Sequence, residues 1–343
     1  MSTPDPASRR TRKRRFLSAA LGLIISIGLL LWALRGVSIT EVLHQVRGAK
    51  PGPLFAAVVV ATLTFLIRLL RWRLLLRDEK GRPYPAGALW HAIALGFTAN
   101  NLLPLRAGEL IRSYTAARLA RARFTTVFSS VAVERIFDAL TVIALLTLAL
   151  LSPDLPPELM IGGRSVASLA RAGAITGVAA LLGAILVVSA PVTAEKLVRR
   201  VLTSSRLADR IVSLLEGIRQ GLLVLRTPAR LSGVVFWSVV LWLTNAYAFY
   251  VGFAAFGIPV SYQGALLLQG LLVLGISLPS TPGFFGPFEA VIVAVLALYG
   301  ISREVAFSYA LAYHIASFVP ITLLGLWSLV RNPGAFSLKQ ARA

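Results

Sequence analysis

Residues 100–112 interrupt an apolar sequence with residue types that turn the chain and bind anions. Proline lacks an N–H and glycine tolerates unusual dihedral angles, so a helix should break and restart here and expose free N–H groups. Arginine adds a full charge and can bind phosphate oxygens with two donors. Glu109 and Arg112 share a helix face, so the alternative is that Glu109 only neutralises an arginine. The pattern predicts a phosphate-binding site formed by Asn100, Asn101, Pro104, Arg106, Gly108, Glu109 and Arg112.

A second group of charges lies inside a long apolar segment that begins near Thr126. Glu134 and Asp138 are four residues apart and therefore face the same side of a helix. Each charge at the centre of a bilayer costs about 2.5–3.5 kcal/mol on insertion scales. Together with Arg135, the two acids predict either a coupling and proton-relay site or a contact between helices. Either interpretation allows ion pairing with Arg106 or Arg112.

A second chain break covers residues 279–289 and ends in an acid. Unpaired backbone groups are expensive in hydrocarbon, so this segment should be buried in protein or line a wet cavity. Glu289 is expected to take up a proton or to pair with a cation of the first break. His314, in the last apolar segment, is either its proton-relay partner or a packing residue. The predicted turn residues here are Pro279, Pro282, Gly283 and Gly286.

The composition that surrounds these groups is that of an integral membrane protein. The 343 residues are 57% hydrophobic, with a mean hydropathy of +0.76. The net charge of +21 is compatible with nucleic-acid binding, but the cations collect in segments that should face the cytoplasm. Basic segments beside a membrane set topology and attract anionic lipid headgroups. We therefore expect no nucleic-acid partner.

The apolar segments predict an all-α polytopic fold with cytoplasmic termini in a plasma (inner) membrane. Residues 1–15 form a basic tail, and the following apolar run is longer than a usual signal peptide, which favours an uncleaved first span. Short external elements are expected at 39–47, as a helix, and at 51–53, as a turn. Residues 332–343 form a second cytoplasmic tail. Full spans are expected at 16–34, 54–76, 126–151, 166–190, 231–256 and 305–330.

Two pairs of shorter apolar segments predict re-entrant hairpins that enter the membrane from opposite faces. Residues 86–103 and 108–123 should enter from the cytoplasm, whereas 261–278 and 287–299 should enter from outside. Such an inverted arrangement places a substrate site near the midplane of a transporter. The alternative for the second pair is two ordinary short spans, at 261–278 and 287–304.

Outside the apolar segments, residues 194–226 are expected to form an amphipathic helical segment on the inner leaflet. The six tryptophans lie mostly near span ends and predict an interfacial belt. The chain contains no cysteine, and its three histidines are scattered. We therefore expect no metal, no cofactor and no catalytic residue of a soluble enzyme type.

The ordered set of these groups resembles the lysylphosphatidylglycerol synthase transmembrane-region family. The resemblance rests on Asn100-x₃-Pro104-x-Arg106-x-Gly108-Glu109-x₂-Arg112, Glu134-Arg135-x₂-Asp138 and Pro279-x₂-Pro282-Gly283-x₂-Gly286-x₂-Glu289. It covers residues 16–331 and implies a flippase-like domain, as found in bacterial multiple peptide resistance factors. We expect the stand-alone form, because Ala343 follows soon after Val330 and leaves no room for an aminoacyl-lipid synthase domain.

The resemblance implies a transporter that moves a phospholipid or a polyprenyl-phosphate lipid between leaflets. Asn100, Asn101, Arg106, Glu109, Arg112, Arg135 and Glu289 would bind the headgroup, and Glu134, Asp138 and His314 would couple or relay protons. Two alternatives stay open. One is an intramembrane transferase with Glu109 or Asp138 as general base, and the other is a non-transporting accessory subunit of envelope lipid synthesis. Further partners would be a second copy of the chain or an enzyme of the same pathway.

Overall fold

The structure is a computed structural model, and it is almost entirely helical in the part of the chain it describes. That part comprises residues 23–78, 80–103, 107–153, 155, 160–161, 163–189, 191–201, 212, 227–277 and 281–333. The only paired strands among these residues are β1 (Met160–Ile161) and β2 (Arg164–Ser165), which form a small antiparallel hairpin. The protein is thus an all-α membrane protein, as its composition predicts.

The described helices follow the predicted segments closely. The predicted tail 1–15 and most of the predicted segments 194–226 and 332–343 lie outside the described residues. The first part of the chain forms α1 (Leu23–Leu34), α2 (Ile39–Gly48), α3 (Pro51–Leu75), α4 (Ala86–Leu102), α5 (Gly108–Leu119) and α6 (Phe124–Leu150). The second part forms α7 (Val166–Ser189), α8 (Pro191–Val201), α9 (Pro228–Phe253), α10 (Tyr262–Gly275), α11 (Pro287–Ala297) and α12 (Arg303–Arg331). Short 3₁₀ turns lie at Ala254–Phe256 and Pro282–Phe284.

Three of the described helices are long and apolar enough to cross a membrane: Pro51–Leu75, Pro228–Phe256 and Arg303–Arg331. A fourth candidate is the pair α1 and α2, which is bent by 80°. The predicted turn at 51–53 is wrong, because these residues form the first turn of α3. Proline is tolerated there, since the first helical N–H groups have no partner within the helix.

The helices of the two predicted hairpins are present and short. α10 has 14 residues and α11 has 11, which gives lengths of about 21 and 17 Å, below the hydrocarbon thickness of about 30 Å. A Cβ added at Gly275 would lie 2.3 Å from Cγ2 of Val291, so the two helices approach closely there. These lengths favour a hairpin over two full spans, and entry from one membrane face stays a prediction.

The chain divides into two compact units. Unit 1 contains the described parts of residues 1–62, 96–108 and 246–326, and unit 2 those of 63–95, 109–245 and 327–343. Within unit 2, α6 packs along α7, where a Cβ at Gly173 would lie 2.6 Å from Thr147 Oγ1. Within unit 1, α10 packs against α11.

The loop between α3 and α4 is organised by one acid. Asp78 Oδ1 accepts from the backbone N–H groups of Lys80 and Arg82, and Arg82 Nε donates to Oδ2 at 3.0 Å. The hydrogen bond from the Arg82 backbone is the main reason that the pKa of Asp78 is lowered. The loop therefore holds its shape best when Asp78 is ionised, which is the case at neutral pH.

Candidate functional site

The central feature of unit 2 is a buried network of arginines and acids, which we call the arginine cluster. It contains Arg71 of α3, Arg112 of α5, and Glu134, Arg135 and Asp138 of α6. The two acids share one face of α6. Side chains of α3, α5 and α9 pack against that face and so bring the cluster together. Arg71 and Glu134 are fully buried. Arg135 is the accessible member, with 44% of its side chain exposed.

Glu134 is the centre of the arginine cluster. Arg112 binds it with both terminal nitrogens, Nη1 to Oε1 and Nη2 to Oε2, each at 2.8 Å. Arg135 Nη2 donates to Oε1 at 2.8 Å, and Arg71 Nη2 lies 3.1 Å from the same oxygen. A buried carboxylate without partners would be costly, and the three arginines supply cationic partners for both of its oxygens.

Asp138 is held by a second set of donors. Arg71 Nη1 donates to its Oδ1 at 2.6 Å, and Trp242 Nε1 of α9 donates to the same oxygen at 3.0 Å. Arg135 Nη2 lies 3.0 Å from the other oxygen, Oδ2. Arg71 Nη1 also reaches Ser238 Oγ, one helical turn before Trp242. Both carboxylates are therefore engaged by cations.

The charges of the arginine cluster do not cancel. Three guanidinium groups meet two carboxylates, which leaves a surplus of positive charge. Two further residues act on the cluster electrostatically: Arg68, also buried, adds a cation, and Glu109 attracts Arg135. With both included, arginines still exceed acids by one. The cluster is therefore an environment that favours an anion.

Sequence reasoning found the acids but missed two of their partners. Arg68 and Arg71 lie at the basic end of an apolar segment, where the sequence predicts only that cations mark the cytoplasmic side. Both are buried, with 7% and 0% exposure. The predicted tryptophan belt is wrong for Trp72 and Trp242, which are buried. Trp72 Nε1 donates to Ser130 Oγ, and Trp242 contacts Asp138. The signal that could have found Arg68 and Arg71 is their spacing of three residues within an apolar helix.

The turn between α4 and α5 is built by two predicted residues. Asn100 Oδ1 accepts from the backbone N–H of Gly108 at 2.9 Å, and so satisfies the first turn of α5. A Cβ at Gly108 would lie 2.2 Å from Gly96 O, so only glycine fits there. Asn101 Nδ2 donates to Thr322 Oγ1 of α12 at 2.9 Å. Pro104 and Arg106 lie outside the described residues.

Unit 1 contains the second predicted group, which the structure brings together at the start of α11. Glu289 Oε1 lies 2.6 Å from His314 Nδ1, and Glu289 Oε2 accepts from the Gly286 N–H at 2.7 Å. His314 Nε2 lies 2.8 Å from the Gly283 carbonyl oxygen. Glu289 and His314 are therefore in contact, and a proton-relay role for His314 stays a prediction. Pro279 lies outside the described residues, and Pro282 begins a 3₁₀ turn.

A separate cavity in unit 1 is lined by none of the predicted site residues. It has a volume of about 630 Å³ and lies beside the end of α9, against Pro53, Tyr250, Phe253, Ile258 and Ser261. In the part of the chain that the structure describes, no three His, Asp or Glu side chains are grouped so that they could hold a metal ion.

Comparison with known proteins gives the family. Residues 19–325 match the model of the lysylphosphatidylglycerol synthase TM region. The chain belongs to this family. The match spans all three groups of predicted site residues and both breaks of the chain.

Relatives of this family member carry two kinds of name. The chain is 25% identical to a UPF0104 membrane protein of Methanothermobacter thermautotrophicus, over 91% of this chain and 92% of the relative. A second protein of that name from the same organism is 24% identical, over 93% and 92%. The chain is also 26% identical to glycosyltransferase AglD of Haloferax volcanii, over 89% of this chain. It spans about half of that relative, 53% of its length.

Proposed function

We propose that this protein moves an anionic lipid, a phospholipid or a polyprenyl phosphate, between the two leaflets of the plasma membrane. The family and the names of the relatives indicate a function related to membrane lipids. The proposal that the lipid is anionic rests on the arginine cluster. This is a buried charge network within a membrane protein, and its arginines outnumber its acids. Buried charges in membrane proteins typically mark substrate or ion pathways.

Arg135 is the residue through which a headgroup would enter. Its side chain is 44% exposed, whereas Arg71 and Arg112 are committed to Asp138 and Glu134. A lipid phosphate at Arg135 would supply the negative charge that the arginine cluster lacks. Arg71 and Arg112 then keep the carboxylates neutralised while the lipid is bound. Glu109, which attracts Arg135 electrostatically, would compete with the phosphate and aid its release.

Reconstitution tests this proposal. Vesicles with the purified protein would receive a fluorescent phosphatidylglycerol, a fluorescent phosphatidylcholine or a labelled polyprenyl phosphate, and quenching from outside would measure exchange between leaflets. The wild type should accelerate exchange, and Arg135→Gln should slow it, because two arginines then meet two acids and the surplus charge is lost. Arg303→Gln is the matched control: this arginine lies over Trp32 in unit 1, 4.7 Å from the ring centroid.

The proposal would be wrong if the wild type accelerated the exchange of neither phosphatidylglycerol nor polyprenyl phosphate. If Arg135→Gln and Arg303→Gln had the same effect on lipid exchange, Arg135 would not be the site at which the headgroup binds. Inactive protein that co-purifies with an enzyme of lipid synthesis would instead support the accessory subunit, the second of the two alternatives.

The second candidate function is an intramembrane transferase, which the name of the Haloferax volcanii relative favours. The contacts of Asp138 disfavour it as a general base, because two arginines and an indole already occupy the carboxylate. Glu109 is half-buried and is the better candidate. Mass spectrometry of lipids from cells that express the wild type or Glu109→Gln would decide. A product lipid that disappears in the variant would establish the transferase.

The membrane orientation is also a proposal. Cytoplasmic termini follow from the concentration of Lys and Arg in the segments beside α3, α5 and α8. The chain has no native cysteine, so a single cysteine at Ser168 or Lys80 can be labelled in intact cells with an impermeant maleimide. We expect Ser168→Cys to react from outside and Lys80→Cys to be protected. The reverse pattern would invert the topology.

A further inference from the structure

His314 has a hydrogen-bond acceptor against each ring nitrogen. Nε2 lies 2.8 Å from the carbonyl oxygen of Gly283, and a carbonyl can only accept, so Nε2 carries a proton. Nδ1 lies 2.6 Å from Oε1 of Glu289. A contact this short between two lone pairs is repulsive, so a proton must lie between these atoms as well.

The proton between Oε1 and Nδ1 can be bound to Glu289 or to His314, and the total number of protons on the pair is the same in both cases. An imidazolium beside a carboxylate and a neutral imidazole beside a carboxylic acid contain the same number of protons. The other carboxyl oxygen, Oε2, accepts from the Gly286 N–H in both cases. The geometry therefore fixes one shared proton on the pair, in addition to the proton on Nε2.

The surroundings of the ring favour the imidazolium form. His314 is stacked between Phe285 and Phe288, with ring centroids 4.4 and 4.1 Å apart and interplanar angles of 28° and 26°. Aromatic faces attract a cation placed over them. Residues 23–34 of α1 contain no ionisable side chain. The other neighbouring helices carry Arg303, Glu304, Tyr309, Tyr313 and Arg331 on α12, Arg230, Tyr247 and Tyr250 on α9, and Tyr262 on α10.

The segment that contacts Glu289 and His314, residues 283–286, has unusual backbone dihedral angles. Gly283, Phe284 and Gly286 have positive φ angles of 73°, 62° and 96°. Phenylalanine in this region is strained, and such strain persists only where the surroundings hold it. A Cβ at Gly286 would lie 2.2 Å from the Ser26 carbonyl oxygen of α1, so the segment is pressed against that helix. The Thr281 N–H donates to Ser26 Oγ at 2.8 Å.

We propose that Glu289 and His314 form a binding site for one proton, and that this proton holds residues 281–289 against α1 and α12. Glu289 fixes Gly286, His314 fixes Gly283, and the shared proton joins the two. When the proton leaves to solvent, Oε1 and Nδ1 repel each other and the strained turn is released from α12. The break in the chain is then a proton-controlled hinge. This proposal does not depend on lipid movement.

Nuclear magnetic resonance of protein labelled with ¹⁵N-histidine and ¹³C-glutamate tests the proton count directly. The chain has only three histidines, so His314→Gln assigns the signal. We expect both nitrogens of His314 to be protonated in the wild type. In Glu289→Gln the side-chain amide donates to Nδ1 and its oxygen accepts from Gly286, so only Nε2 should carry a proton. A wild-type pair without a shared proton, or an unprotonated Nε2, would overturn the proposal.

Cysteine labelling tests the hinge. Ser26 is 3% exposed, so Ser26→Cys in this cysteine-free chain should react only when the segment moves away from α1. Its labelling rate is divided by that of the exposed Ser168→Cys, which removes the pH dependence of thiol chemistry. This ratio should rise about tenfold per pH unit while the pair is mostly protonated, and should level off once the proton is lost. In Glu289→Gln, which mimics the protonated acid, the ratio should be independent of pH. Equal pH dependence in both proteins, or none in the wild type, would refute the hinge.

Discussion

Arg112 lies over the ring of Trp72, with its Cζ 3.8 Å from the ring centroid, while both its terminal nitrogens bind Glu134. The indole thus covers one face of the guanidinium and leaves the edge free to donate. Trp72 itself is anchored by its N–H to Ser130 of α6. An aromatic contact and a bidentate ion pair together fix α3, α5 and α6 at the arginine cluster.

Removing the central acid should destabilise the protein strongly. Glu134→Leu would leave Arg112, Arg71 and Arg135 with only Asp138, and an unpaired buried charge costs about 3–5 kcal/mol. Thermal unfolding in detergent, followed by tryptophan fluorescence, should show a large fall in midpoint temperature. Glu195→Leu, which breaks the exposed pair with Arg199, should change it little. Similar midpoints for the two variants would contradict a buried network.

The indole N–H of Trp242 should contribute measurably to stability. Trp242→Phe retains a large aromatic ring but removes the donor to Asp138 Oδ1, and a hydrogen bond to a charged group contributes about 1.5–3 kcal/mol. The same unfolding experiment measures the loss. Trp327→Phe is the control, because Trp327 is 47% exposed. A loss confined to Trp327→Phe would rule out this role for Trp242.

Gly108 should tolerate no side chain. In Gly108→Ala the new Cβ would lie 2.2 Å from Gly96 O and 2.4 Å from Asn100 Oδ1, so the turn between α4 and α5 must shift. We expect a lower unfolding midpoint and poor yield of folded protein by size-exclusion chromatography. Gly87→Ala in α4 meets nothing within 4 Å and should be neutral or slightly stabilising, because alanine favours helices. Equal behaviour of the two variants would argue against the close approach.

Alanine substitutions at two glycines with positive φ angles can distinguish steric crowding by another helix from backbone strain. Gly286 and Gly300 have φ angles of 96° and 73°, but only at Gly286 would a Cβ meet another atom, Ser26 O at 2.2 Å. Both alanine variants should lose about 1 kcal/mol or more for the backbone angle. Gly286→Ala should lose considerably more, as measured by thermal unfolding. A greater loss at Gly300 would show that α1 does not press on this turn.

The helical class, the helix positions and the acids of the arginine cluster could be predicted from the sequence, because each depends on local patterns. Glu134 and Asp138 are recognisable by a four-residue spacing inside an apolar run. Their partner Arg71 is 67 residues from Asp138. Its spacing of three residues from Arg68 could mark it as part of a helix face, but local sequence does not show which acid it pairs with. Trp242, 104 residues from Asp138, was misassigned to an interfacial belt for the same reason.

The Glu289 and His314 pair was easier to predict, although it is also nonlocal. A carboxylate next to a proline- and glycine-rich break needs a partner in hydrocarbon, and His314 is the histidine of the last apolar segment. The sequence could not predict the second contact of this histidine, to the Gly283 carbonyl, because that depends on the positive φ angles of the turn.

The surplus arginine has an electrical consequence. A membrane potential acts on a net charge with about 2.3 kcal/mol per elementary charge for each 100 mV. An empty arginine cluster, with one more cation than acids, would respond to voltage if it shifted across the bilayer. A phosphodiester headgroup carries a single negative charge, so the occupied cluster would be neutral and insensitive to the field. In the proposed lipid movement, voltage would therefore act on the protein without lipid and would not oppose the step in which lipid is bound.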